Sequence, residues 1–96
     1  MKNNQQVIAS VNNYIEMISD FVNSKISVEE FERGFLHYHR HDDVPYPYEI
    51  HKTISILFSD IDQYFPVPDG TDDIIDEKTL RERAVQALEK LKVLIH

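Results

Sequence analysis

Residues 26–41 read ISVEEFERGFLHYHRH, and the start of a helix is written into the first six letters. Ser27-Val28-Glu29-Glu30 has the form of a capping box, in which a serine hydroxyl accepts from a backbone N–H three residues on and the glutamate there reaches back to the serine N–H. Ile26 before the cap and Phe31 four positions into the helix are spaced as a hydrophobic staple. Loss of the Ser27 hydroxyl is expected to cost about 1 kcal/mol. Val28, Phe31, Phe35, Tyr38 and His39 then share one helical face, with Leu36 at its margin, and the helix runs to about His41. Gly34 in its middle costs about 1 kcal/mol relative to alanine, an expense that a close helix crossing would explain.

Working outward, the segment before this one carries Val7, Val11, Tyr14, Ile15, Ile18, Phe21 and Val22 at spacings that trace one side of a helix from about Asn4 to Asn23. After it, Asp42–Tyr46 is a loop and Pro47 suits the first turn of a third helix, where a missing N–H costs nothing. The stripe of that helix is Ile50, Ile54, Leu57, Phe58, Ile61 and Tyr64, extended by Phe65. Pro66-Val67-Pro68-Asp69-Gly70 ends it and turns the chain. Asp76 is placed to cap a fourth helix that turns Leu80, Ala84, Ala87, Leu88, Leu91, Leu94 and Ile95 inward. No stretch alternates long enough to make a strand. Four amphipathic helices with short connections predict an all-α, antiparallel four-helix bundle, formed by residues 1–96 as one domain.

Composition narrows the function. The 96 residues are 42% hydrophobic, too apolar for a disordered chain, and contain no cysteine, which excludes disulfides, thiolate metal sites and thiol nucleophiles. That fits a cytoplasmic protein. The N-terminal residues lack the cationic and apolar regions of a signal peptide. No run approaches the roughly 20 apolar residues that span a membrane.

The net charge of −7 is unevenly spread: residues 1–41 sum to −1, residues 42–77 to −9 and residues 78–96 to +3. The acidic part peaks in 59–77, SDIDQYFPVPDGTDDIIDE, which holds seven carboxylates and no Lys or Arg. On a helical wheel Asp60 and Asp62 fall on opposite flanks of the third helix's stripe, about 90–100° from its centre, so both are expected to be exposed. Carboxylates at a helix C-terminus oppose its dipole, which points to a use other than stability. Acidic runs are often merely solvated. Tyr46, Tyr48, Ile56, Val67 and Ile74, however, belong to no stripe, and an aromatic anchor within a charged rim is what an interface needs. A field of this sign repels phosphate backbones, so the expected partner is a basic protein and not nucleic acid itself.

Catalytic chemistry finds little footing. No serine lies in a nucleophile turn, no glycine-rich loop cradles phosphate, and the aromatic residues interleave with acids rather than bases. His37 and His41 stand one turn apart on an exposed flank, a spacing that chelates zinc or nickel, but the glutamate of a metallohydrolase helix is absent between them. His39 turns to the apolar face as a core histidine. The expectation is no enzyme, no metal and no cofactor.

The run Phe21-Val22-Asn23-Ser24-Lys25-Ile26-Ser27-Val28-Glu29-Glu30-Phe31 resembles the junction of the first two helices in the colicin D immunity family. Leu57-Phe58 with the acidic helix end and Pro66 resembles its third helix, and Ala87-Leu88-Glu89-Lys90-Leu91 its fourth. Immunity proteins of this kind also accompany contact-dependent growth-inhibition toxins. The resemblance implies a four-helix bundle that binds a basic tRNA-cleaving toxin domain, one to one, and covers its active site with carboxylates in place of RNA phosphates. Asp62 and the acids near Asp69 match the family's positions, whereas Phe65 and Val67 stand where acids flank the proline. The expected toxin-binding set is Asp60, Asp62, Tyr64, Asp69, Asp72, Asp73 and Asp76. The alternative is a small helical adaptor that presents the same acidic face to another basic protein.

Overall fold

A computed structural model describes residues 5–64 and 76–95. Its helices are α1 (Gln5–Val22), α2 (Val28–Arg40), α3 (Tyr48–Gln63) and α4 (Glu77–Leu94). They form an all-α bundle in which α4 packs against both α1 and α3, α1 also packs on α2, and α2 and α3 touch more lightly. Neighbours run in opposite directions. Phe21 near the end of α1 stacks on Phe31 near the start of α2, while Ser10 in the first half of α1 meets Tyr38 in the last turn of α2. Glu49 and Asp60 of α3 likewise pair with Lys90 and Arg83 of α4, in reverse order along the two helices.

The ends of the helices follow from local chemistry. α1 stops in a Schellman turn: Lys25 N–H donates to the Asp20 carbonyl at 2.8 Å and Ser24 N–H to the Phe21 carbonyl at 3.0 Å. The turn needs a left-handed residue, usually glycine, and here Ser24 takes it with φ 60°. Both bonds of the α2 capping box form: Glu30 N–H to Ser27 Oγ at 3.1 Å, and Ser27 N–H to Glu30 Oε1 at 3.0 Å. They hold the Glu30 carboxyl below the usual carboxylate range. Pro47 sits one position earlier than predicted, at the N-cap of α3, with its carbonyl taking the His51 N–H. Asp76 caps α4 as expected, accepting from Thr79 N–H at 2.8 Å.

The predicted stripes are the core. Val7, Val11, Tyr14, Ile18 and Phe21 of α1 close on Val28, Phe31 and Phe35 of α2, Ile50, Ile54, Leu57 and Ile61 of α3, and Leu80, Ala84, Leu88 and Leu91 of α4. Burial of each large side chain is worth about 1.5–3 kcal/mol. His39 is half-buried, with Phe35 on one side at 6.2 Å and Phe58 on the other at 4.6 Å between ring centres. The crossing of α1 and α2 at Gly34 is less tight than the glycine suggested. A Cβ there would meet the Met17 sulfur at 3.7 Å, an ordinary contact.

A polar cluster bolts the α2–α3 loop to α1. Tyr14, fully buried, donates its hydroxyl to Asp42 Oδ2 at 2.7 Å. Tyr46 donates to the same oxygen, and Val44 N–H to Oδ1 at 3.1 Å. Because Tyr46 spends its proton on Asp42, Ser10 must donate to Tyr46 at 2.5 Å, so Tyr38 donates to Ser10 at 2.8 Å. Asn13 completes the chain by donating to Tyr38 at 3.1 Å. One carboxylate thus terminates a directed relay of hydroxyls running across α1, α2 and the loop.

Candidate functional site

Alternation of direction brings the C-termini of α1 and α3 and the N-termini of α2 and α4 to one end of the bundle. That end is tied across by Arg81. Its guanidinium donates to the Phe21 carbonyl at 2.6 Å, stands over the Phe21 ring at 4.5 Å, and pairs with Glu77 at 3.1 Å. Tyr64, the C-cap of α3, is half-buried against the core. Its hydroxyl is pushed up from the usual phenol range, first by burial and then by the negative charges of Glu29, Glu77 and Glu32. The acids that act on it belong to α2 and α4.

The predicted site residues separate on this frame. Asp62 is exposed and has no ion-pair partner among the described residues. Asp76 is exposed too, but its side chain is already occupied as the α4 cap, and that hydrogen bond holds its carboxyl below the usual range. Asp60 overturns the expectation of exposure. It is only 7% exposed, because the inward face of α3 is wider than its apolar stripe and takes in Thr53 and Asp60 where α4 packs. There it faces Arg83 at 3.6 Å. Burial pushes its carboxyl up, and Arg83 pulls it part of the way back. Asp69, Asp72 and Asp73 lie outside the described residues, as do Val67 and Ile74. Of the unclaimed apolar residues that are described, Tyr46 belongs to the polar cluster, whereas Tyr48 and Ile56 are exposed.

Glu29 and Glu32 escaped the sequence reading. Glu29 lies in the acidic first turn of α2 and Glu32 just beyond it, and no local pattern sets either apart. Only the bundle's topology brings their charges to bear on Tyr64.

The arrangement offers a contact surface. Its acids are spread over exposed helix ends, and no group of three or more His, Asp or Glu side chains is gathered for a metal among the described residues. A half-buried aromatic hydroxyl within the field of several carboxylates suits a cationic protein surface. The family profile described as bacterial self-protective colicin-like immunity matches residues 9–91. The chain belongs to this family. Neither the curated proteins nor the solved structures compared with it include a match. Colicin-like immunity is exercised by binding a toxin, so the chemistry to look for is that of an inhibitor. The match runs from the first half of α1 to the last turn of α4 and takes in all four helices. No helix among the described residues is long and apolar enough to cross a membrane.

Proposed function

We propose that this immunity chain neutralises a basic ribonuclease toxin domain, of the tRNA-cleaving class, by covering its active site with the acidic end of the bundle. The partner is one toxin domain per chain, met in the cytoplasm. The contact surface is Asp62 and Tyr64 from α3, Glu29 and Glu32 from α2, and Asp76 and Glu77 from α4, with Asp69, Asp72 and Asp73 of the connecting segment. Asp60 stands behind this surface. The observation that carries the reading is the convergence of three helix ends on Tyr64 in a member of an immunity family. Carboxylates facing the toxin's Lys, Arg and catalytic His side chains occupy positions that RNA phosphates take during cleavage.

The test is a calorimetric titration of the cognate toxin domain with a variant carrying Glu29→Gln, Glu32→Gln and Asp62→Asn. One-sided loss of a central desolvated charge pair costs about 2–5 kcal/mol, so affinity should fall by at least about tenfold while the helical signal is retained. Full affinity in the triple variant would remove the acidic end from the interface. A bound toxin without nuclease activity would keep the immunity role and end the nuclease reading.

A further inference from the structure

We infer that His37 and His41 form a two-donor site for a borderline divalent transition-metal ion, Cu²⁺, Ni²⁺ or Zn²⁺, at the end of the bundle away from the acidic corner. Both are exposed on the last turn and C-cap of α2. Their ring centres are 4.8 Å apart with planes inclined at 62°, so the two imidazoles are already adjacent. Neither ring is committed to a hydrogen bond or ion pair among the described residues. They open on a hollow of about 310 Å³, also lined by Tyr38, Asp42, Asp43 and Val44. The helix fixes the spacing of the donors before any ion arrives, which lowers the ordering cost of chelation. A cation there also meets the negative end of the α2 dipole.

The donor chemistry sets the ion. Two imidazole nitrogens suit Cu²⁺, Ni²⁺ and Zn²⁺, whereas Mg²⁺ and Ca²⁺ require oxygen ligands. Asp42 is engaged elsewhere, its Oδ2 by the Tyr14 and Tyr46 hydroxyls and its Oδ1 by Val44 N–H. No third protein side chain joins the pair among the described residues, so water fills the remaining positions. Such a site binds at micromolar rather than structural-zinc strength.

The experiment is calorimetric titration of metal-stripped protein carrying no affinity tag with NiCl₂ and ZnCl₂, alongside MgCl₂ and CaCl₂. One saturable site is expected for nickel and zinc and none for magnesium or calcium. At saturation the melting temperature should rise by about 3–6 °C, as binding to the folded state requires. His37→Gln and His41→Gln should each weaken nickel binding at least tenfold, while His51→Gln should not. Since the first two residues are exposed, their helical circular dichroism serves as the check on folding. Nickel broadening of amide resonances should centre on residues 37–43. Absence of saturable nickel and zinc binding up to millimolar concentration would overturn the proposal. So would undiminished binding in the His37→Gln/His41→Gln double variant, or competition by magnesium, which would place the ion on carboxylates.

Discussion

Asp42 and Asp60 are two carboxylates with opposite lives. Asp42 terminates a relay in which every hydroxyl has a place for its proton, whereas Asp60 is buried with a long contact to Arg83 as its one ion pair among the described residues. The relay shows itself in alkali. Burial and then the bond to Asp42 raise the Tyr14 and Tyr46 hydroxyls far above the usual phenol range. Phenols in an unfolded chain ionise near pH 10, so the stability these groups contribute is whole below about pH 10 and is lost as pH climbs towards their folded values. Part of the tyrosinate absorbance change should therefore lag and coincide with loss of helical circular dichroism. Complete tyrosine ionisation ahead of unfolding would mean that the relay is open. Asp60 runs the other way from an ordinary paired carboxylate. Its folded value is raised, so its contribution is present below the usual carboxylate range and is lost as pH rises through the raised value. Asp60→Asn should be at least as stable as the parent at pH 7, with the difference shrinking towards pH 4 in thermal melts. A clear loss of stability at pH 7 would show that the Arg83 contact outweighs the burial.

At the scale of the element, most of this fold was legible. The box at Ser27 and the cap at Asp76 depend on three-residue spacing, and the stripes on helical period, and both are local properties of the chain. Legibility ended where a neighbour decides. Asp60 looked exposed because a wheel knows the apolar stripe but not the width of the face that α4 covers. Glu29 and Glu32 passed unremarked because nothing local says which other helix end lies beside them. The end of α1 was legible to within one residue from its stripe, but its Schellman turn was not, since the left-handed position holds serine where glycine is the usual sign. Two substitutions follow from these helix interiors and ends. Ser24→Gly relieves a positive φ, and Gly34→Ala places a methyl in ordinary contact with Met17; each should stabilise the protein by about 0.5–1 kcal/mol in urea titration. A loss at Gly34→Ala would show that α1 and α2 sit closer than 3.7 Å allows. Asp76 has two duties that one pair of variants separates. Asn caps a helix as well as Asp does, so Asp76→Asn should keep the parent melting temperature and weaken toxin binding, whereas Asp76→Ala should lower both. Equal toxin affinity in Asp76→Asn would leave Asp76 a cap alone.

The whole molecule carries a net charge of −7, and Glu29, Glu32, Asp62, Asp76 and Glu77 gather at one of its ends, around Arg81. Such a body is steered as it approaches a basic partner, and its encounter rate depends on salt more than its dissociation rate does. Raising ionic strength from about 0.05 to 0.5 M shortens the Debye length from above 10 Å to below 5 Å. The association rate constant with the toxin should fall at least tenfold over that range in stopped-flow measurements. A rate insensitive to salt would mean that the acidic end does not guide docking. The relay at Asp42 has a last consequence, an optical one. The chain has five tyrosines and no tryptophan, so its ultraviolet emission is tyrosine emission throughout. An excited phenol held against a carboxylate passes its proton across and goes dark, which silences Tyr14 and Tyr46 in the folded bundle. Unfolding should make this protein brighter, and the hydroxyls that fasten the α2–α3 loop become its built-in lamp for following the transition without a label.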